Sequence, residues 1–523
     1  MKLRGYPWLC SVALATVYLG NIPRAQAQSQ AVAAAEGQDL GQLQEIVITA
    51  QRRAERLQDV PISAVVIGQQ MLVTQNLNSL VDVTQIEPSV HTAAGGRSND
   101  VYIRGIGSGA NQGFDQSAGT FIDDIYHGRA KTSTATFLDL DHVEILKGPQ
   151  STFFGNNAIA GAFNIVTKKP TDQFDAYGRL LYGQFGQYVA EGAVGGPINS
   201  VLAVRAAITV NGERGWATNV NTGEKAPREN NVADRVSFLY QPTEDLDATL
   251  KIEGGRNNNE SGLFLQVVNC PPSAPFVAAG FCKAVAPLGI PTGIESNNFS
   301  EGPGQLTKLD TGEDVFTVNY HRWDHTFTSV SGFYSYHYHQ NLDVDGTPLT
   351  FVNVQDPEDY HQFSQELRVA SPTGQRIEYL AGLYFQTDDL FVRQDTNYSF
   401  LSPTIQATPP FAGLIPYLPI GQDITFSQVE HSYSAFGSVS WNITDALKLT
   451  GGIRGSWVNK SYDWNLYYGT ATQDFGGIAP LPPALANLPA ALKLGTPATL
   501  SGDRRDHAAM PSAKTITAFR STR

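Results

Sequence analysis

At 523 residues the chain could hold several soluble domains or one large β-barrel unit, because length sets only a soft prior. Charged residues make up 16% of it, against roughly 25% in an average soluble protein, while 49 Gly, 21 Tyr and 26 Phe suit many strands joined by turns. The net charge of -13 excludes a nucleic-acid-binding function, which needs a clustered basic surface.

Residues 1–27 read as a secretory signal: Lys2 and Arg4 give a positive start, Leu9 to Leu19 an apolar run, and Ala25-Gln26-Ala27 a small-x-small cleavage site. The alternative, an uncleaved anchor, is disfavoured because the run falls well short of the ~20 residues a spanning helix needs. No later stretch is long and apolar enough either, so any membrane crossing must be made by strands. Cys10 leaves with the signal, and Cys270 and Cys282 remain in a segment with Pro271, Pro272, Pro275 and Gly280. In an oxidising compartment such a pair reads as a disulfide worth ~3 kcal/mol; two thiols alone make half a zinc site.

Residues 28–44 are rich in Gln and Ala without periodicity and read as a disordered linker. Glu45-Ile46-Val47-Ile48-Thr49-Ala50 is a short β-branched run suited to pairing with the sheet edge of another protein, although the first strand of the next domain would read the same. Residues 60–170 mix strand-like and helical runs, the latter around Leu72 to Val83, as in a compact α+β domain. Within it, Gly105 to Ala110 spells G-x-G-x-x-A. A dinucleotide site would need a helix opening there, and Asn111-Gln112-Gly113-Phe114-Asp115 does not give one. Tight backbone packing in a turn accounts for the glycines.

From residue 174 onward period two takes over. Leu202, Val204, Ala206, Ile208 and Val210 oppose Arg205, Thr209 and Asn211; Leu246, Ala248, Leu250 and Ile252 oppose Asp247, Thr249, Lys251 and Glu253. Val330, Tyr334, Tyr336 and Tyr338 oppose Ser329, Ser331, Ser335 and His337, and Tyr433, Ala435, Val439 and Trp441 oppose Ser434, Ser438, Ser440 and Asn442. Runs of about 9 to 11 residues cross a bilayer when tilted, whereas soluble strands average about 5 to 6. In such a barrel the apolar face points to lipid and the polar face lines the lumen. Short links at 241–245 and 442–445 alternate with long insertions at 257–312, 340–359 and 388–429, the asymmetry of periplasmic turns and outer loops.

These residues resemble the TonB-dependent outer-membrane receptors. The 45–50 run is similar to the family's energy-coupling box, and Leu57-Gln58-Asp59-Val60-Pro61-Ile62-Ser63 continues the likeness. The stretch Val143 to Gly155, continuing through Ala160 to Lys168, is similar to the signature that closes the plug domain. Phe363 to Val369, Ala381 to Phe385, Ser434 to Gly437 and Gly451 to Arg454 resemble barrel strands of the family.

The resemblance implies a mainly β protein, with an N-terminal α+β plug domain followed by a transmembrane antiparallel β-barrel. The family barrel has about 22 strands, of which roughly 11 strand-like runs are legible here between residues 174 and 461. The expected organisation is signal 1–27, coupling-box segment and linker 28–59, plug 60–170, barrel 174–500, and a polar tail 501–523 without a strand of membrane length, a candidate frameshift. By resemblance, Glu45, Ile46, Val47, Ile48, Thr49 and Ala50 pair with a periplasm-spanning TonB-type partner. Arg104, Gly105 and Gly107 sit in the plug core, Gly148, Pro149, Gly155 and Gly161 shape turns, and Asn164 belongs to the same structural set. Ser151 stands where the family often has Gly.

The implied function is energy-coupled uptake of a scarce small molecule, an iron chelate such as a ferric siderophore, at the outer membrane of a Gram-negative bacterium. The competing readings are a receptor for cobalamin or a saccharide and a truncated, transport-inactive fragment. No catalytic constellation stands out: there is no G-x-S-x-G elbow, and Asp123-Asp124 falls in a strand-like run matching the plug. His337 and His339 share a strand face but read as lumen or loop residues rather than metal ligands. No cofactor is expected. The Cys270–Cys282 loop and segment 388–429 are the candidates for ligand contact.

Overall fold

The computed structural model describes residues 47–517 apart from 50, 54, 61, 95–98, 110–112, 156, 262–285, 291–296, 349–351, 399–416, 418, 445–446, 472–477 and 492–493. The expected signal and linker, Glu45, Ile46, Ala50 and the Cys270–Cys282 pair lie outside the described residues.

The plug begins with a miniature antiparallel hairpin of β1 (Val47–Ile48) and β2 (Glu55–Arg56). It continues through β3 (Ser63–Gly68), α1 (Gln69–Thr74), α2 (Leu80–Ile86), β4 (Val90–Ala94), β5 (Asn99–Ile103), β6 (Ala118–Ile122), β7 (Ile125–His127), β8 (Leu140–Lys147), α3 (Ser151–Phe154) and β9 (Gly161–Thr167). A five-stranded sheet runs in the order β3-β8-β9-β6-β7, with β6 and β9 parallel. The helical stretch around Leu72 to Val83 is two helices, because Asn76 turns at φ +53 and Ser79 caps α2 by accepting the Asp82 N–H at 3.3 Å. Leu72, Leu80 and Val83 pack on Val101, Ile103, Val143, Ile145, Phe163 and Ile165, so the core forms where alternating strand positions meet one apolar helix stripe.

Gly161 opens β9 at φ +150, and a Cβ there would lie 2.1 Å from the Leu146 carbonyl oxygen. Gly161→Val should therefore cost about 2 to 5 kcal/mol of plug stability, the sum of backbone strain and overpacking. Hydrogen exchange at the β8 and β9 amides checks this, and protection equal to wild type would contradict it.

The chain then builds long strands: β10 (Asp175–Tyr182), β11 (Tyr188–Asn199), β12 (Leu202–Glu213), β13 (Ala217–Asn219), β14 (Lys225–Ala226), β15 (Glu229–Thr243), β16 (Leu246–Asn259), β17 (Asn298–Phe299), β18 (Leu306–Arg322) and β19 (His325–Asp343). They continue with β20 (Val352–Gln355), β21 (Glu358–Ala370), β22 (Ile377–Tyr398), β23 (Ile420–Thr444), β24 (Leu447–Ala471), β25 (Ile478–Pro480), the short helix α4 (Leu488–Ala491) and β26 (Ala498–Thr517). Among the described residues, fourteen of these strands form one sheet that starts at β10, while β13, β14 and β17 form a separate small one. The large sheet curves around the plug: residues from β10, β12, β16, β21 and β26 all bond to plug side chains. Its short turns gather at one end, for example Trp323-Asp324 between β18 and β19, where both residues take positive φ.

Three expectations change. The segment read as a polar tail carries β26, paired along its length with β24 from Leu447↔Thr517 to Leu466↔Ala498. Main-chain bonds to a neighbouring strand hold it, so its polar sequence hid it. Segment 388–429 is not all loop, since β22 runs to Tyr398 and β23 starts at Ile420, and the ladder Asp388↔Glu430 to Tyr398↔Ile420 extends the hairpin. Third, the aromatic face of β19 points inward. Val330, Tyr334, Tyr336 and Tyr338 are buried and Ile125 of the plug packs among them, whereas Phe333 is exposed on the opposite face. A lumen filled by protein accepts apolar side chains where a water-filled one would not. In β12 and β23 the expected polarity holds: Ile208, Val439 and Trp441 are exposed, and Arg205, Thr209 and Ser434 are buried.

Candidate functional site

Of the run expected to act in coupling, the described residues 47–49 are folded into the plug. Val47 and Ile48 pair with Arg56 and Glu55, and Ile48 is buried among plug residues. Thr49 donates both its N–H and its hydroxyl to Glu144 Oε1, the hydroxyl at 3.0 Å. Asn164 donates its amide to Thr49 Oγ1 at 2.9 Å and to Glu144 Oε2 at 3.0 Å. Thr49 is thus tied to β8 and β9 through two buried plug side chains. Of the six expected partner-binding residues, Val47, Ile48 and Thr49 are the described ones.

Beyond Thr49 the chain turns at Arg52, whose φ is +60. The buried Arg52 guanidinium lies 5.6 Å from the Phe121 ring centroid and 5.1 Å from that of Phe154, pairs with Asp124, and lies 3.7 Å from Glu366. Arg368 of β21 closes the cluster, 2.9 Å from Asp124 and 2.7 Å from Glu366. Burial alone would raise the Asp124 carboxyl, but the Arg368 and Arg52 charges more than offset it and hold the group well below the usual carboxylate range. Arg53 donates to the Tyr379 carbonyl of β22, and Lys448 of β24 bonds Glu378 at 3.0 Å and lies 3.8 Å from Glu55. These wall contacts lie at the short-turn end of the sheet.

His142 buttresses Glu144: its Nε2 lies 2.9 Å from Glu144 Oε1 and its Nδ1 2.6 Å from Asp141 Oδ2. Burial lowers the imidazole's pKa, but the two carboxylates outweigh burial and push it up to about 9. A raised folded pKa stabilises fully below the unfolded value of about 6.5 and is lost as pH rises through 9. Thr49 amide exchange, corrected for intrinsic pH dependence, should therefore accelerate as pH rises from about 7 through 9 in the wild type and show no such step in His142→Gln. Equal profiles would contradict the link.

The plug signature residues divide between core and turn. Val101 and Ile103 enter the core, but Arg104 and Gly105 are exposed, which corrects their expected burial. Both take positive φ, +52 and +79, so the chain turns outward, with the Arg104 N–H on Ser89 O at 2.7 Å and its guanidinium on Ser63 Oγ at 3.0 Å. Gly107 has no room for a side chain, since a Cβ would lie 2.3 Å from the Tyr102 ring. Gly148 and Gly155 take φ +89 and +92 on either side of Pro149 and α3, whose first residue is Ser151.

A second set of contacts, between plug and wall, was not singled out from the sequence. Asp123 and Asp124 are not strand residues; they form the turn between β6 and β7, at φ +47 and +74. Asp123 accepts from Lys251 of β16 at 2.8 Å and from the Thr167 N–H and hydroxyl at 3.0 and 2.8 Å. Lys251 also pairs with Glu313 of β18, which in turn meets His127 of the plug at 2.5 Å. Asp139 receives Arg205 at 2.6 Å and Arg235 at 3.0 Å. Toward the long-loop end, Lys131 meets Asp356 at 3.1 Å and Arg129 meets Glu358 at 3.3 Å. The inward alternation of Arg205, Lys251 and Glu253 was the available signal; their partners, scores of residues away, carry none. His337 pairs with Asp359 at 2.6 Å, and among the described residues no three His, Cys, Asp or Glu side chains are placed to hold a metal.

Residues 56–162 match the family model described as the TonB-dependent receptor plug domain. The chain is 22% identical over 421 residues to the pesticin receptor of Yersinia pestis, covering 79% of this chain and 55% of that protein. It is 28% identical over 145 residues to the iron-regulated outer membrane virulence protein of Vibrio cholerae, covering 25% of this chain and 21% of that one. The chain thus spans between about a fifth and about half of the length of these curated relatives. Among solved structures, the ferric yersiniabactin uptake receptor from Yersinia pestis superposes with a TM-score of 0.67 at 17% identity, over 87% of this chain and 62% of that one. The ferripyoverdine receptor of Pseudomonas aeruginosa superposes with a TM-score of 0.58 at 13% identity, over 90% of this chain and 70% of that one. Residues 56–162 thus match a TonB-dependent receptor plug domain, and the fold of a plug set in a large sheet is shared with these receptors.

Proposed function

We propose that the protein is a receptor for energy-coupled uptake of a scarce ligand, an iron complex of the ferric siderophore type. A periplasm-spanning TonB-type protein supplies the pull by adding a strand to residues 45–50. Binding alone cannot move a scarce ligand uphill, and the outer membrane holds neither a useful potential nor a nucleotide pool, so the energy has to enter mechanically.

The observation that carries this reading is the way the segment is tied down. Thr49 hangs on Glu144 and Asn164 of β8 and β9, and Arg52 on Asp124 of the β6–β7 turn. A pull on residues 45–50 therefore loads the plug's own sheet rather than a loose tether. The iron-complex class is supported by the likeness to ferric yersiniabactin and ferripyoverdine receptors.

The test is uptake of radioiron by iron-starved Gram-negative cells that lack other receptors and express this chain, given a panel of ferric chelates. Accumulation of at least one chelate above the empty-vector level is expected. Uptake of cobalamin or an oligosaccharide with none of any chelate would overturn the ligand class.

A further inference from the structure

At the long-loop end, between the plug and β12, β15, β16, β18 and β19, lies a cavity of about 430 Å³. Its lining is unusual for its charge and its amides. Asp82, Glu213 and Glu229 face it, and Lys131 is the one basic residue among the described lining residues. That lysine is engaged, 3.1 Å from Asp356 and 4.0 Å from the Tyr338 ring centroid. Glu213 and Glu229 stand directly opposite each other on β12 and β15. Like charges so placed destabilise a sheet unless something positive comes between them.

Two buried amides give the independent sign of a ligand. Asn211, 6% exposed, accepts from Asn231 through Oδ1 at 3.1 Å and leaves its Nδ2 without a hydrogen-bond partner. Gln340, 4% exposed, donates to Thr307 at 3.2 Å and leaves its Oε1 without one. Both line the cavity. A buried polar atom left unpaired costs about 1 to 3 kcal/mol, so a donor and an acceptor are poised for hydrogen-bonding groups that arrive from outside.

We propose that this cavity takes the ammonium-bearing end of an amide- or hydroxyl-rich ligand and turns away anionic ones. The ammonium sits between Glu213 and Glu229, while amide or hydroxyl groups of the ligand meet Asn211 and Gln340. The inference rests on the uptake reading only for the carrier, an iron chelate.

The test is calorimetric binding to the full chain in detergent micelles, with three probes: a ferric trihydroxamate bearing a terminal ammonium, the same chelate with that amine acetylated, and a ferric tricatecholate. Losing charge-assisted contacts should weaken the acetylated form by about ten- to hundredfold, and the tricatecholate should bind more weakly still. Glu213→Gln together with Glu229→Gln should erase the preference while retaining the acetylated chelate's affinity, which shows that the variant is folded. Equal affinity for the first two probes, or tighter binding of the tricatecholate, overturns the inference and leaves the uptake reading intact. No binding of any of the three also overturns it, and absence of radioiron uptake with every chelate would remove the uptake reading as well.

Discussion

Deleting residues 45–50 is expected to reduce accumulation of a ferric chelate to the level of cells without the receptor, while leaving chelate binding at the cell surface unchanged. The two readouts separate because Arg53 and Glu55, just beyond the segment, reach Tyr379 and Lys448 at the short-turn end of the sheet, whereas the amide-lined cavity lies at the other. Removing the strand that a partner would pair with takes away the pull and none of the walls. Binding and uptake are measured on the same cells with radioiron, with and without a cold chase. Uptake unchanged by the deletion would sink the coupling role.

The second large effect concerns how the plug is seated. In Lys251→Met the half-buried Asp123 and the buried Glu313 lose their shared cation, and breaking a buried pair by removing one partner costs about 3 to 5 kcal/mol. Faster hydrogen exchange through β6 and β7 would report it. Combining Lys251→Met with Asp123→Asn and Glu313→Gln should recover most of the loss, because no uncompensated charge is left behind. A triple variant as loose as the single one would contradict the argument. The pH dependence follows. Burial pushes the Asp123 carboxyl up, but Lys251 outweighs it and the group rests at about 2. A depressed carboxylate pKa stabilises fully above the unfolded value of about 3.9 and is lost as pH falls toward 2. Without Lys251 the Thr167 donors and Arg235 still act but the main opposing charge to burial is gone, so the variant's loss relative to wild type should be full at neutral pH and narrow as pH falls toward 2.

Much of this was legible in the sequence, for reasons that differ by element. Alternation exposed β12, β16 and β23 because one face of each is exposed and apolar, as at Ile208, Ile252 and Val439, while the other buries polar groups such as Arg205, Lys251 and Ser434. It misassigned β19 because Tyr334, Tyr336 and Tyr338 line a wall whose inner side is protein, so that polarity no longer marks direction. β26 stayed hidden since its ladder with β24 is made of main-chain bonds that its polar side chains do not announce. In the plug, the glycines at 148, 155 and 161, named through the resemblance to the plug signature, stand at positive φ, where a side chain is strained. Arg104 follows a buried strand residue and turns outward within one step, a change no periodicity can show.

The candidate site was legible only in part. Thr49 was named from its place in the coupling run. Its partners Glu144 and Asn164 lie in the plug signature, and nothing in either stretch shows that they meet. Arg52, Asp124, Glu366 and Arg368 come from three distant segments, and ion pairs of that kind are a property of the fold rather than of local pattern.

Energy coupling is tested most directly by radioiron chelate accumulation in cells expressing this chain, before and after collapse of the inner-membrane proton gradient with a protonophore. Surface binding should stay constant while accumulation falls to background. Accumulation that continues undiminished after the gradient is gone would contradict the account.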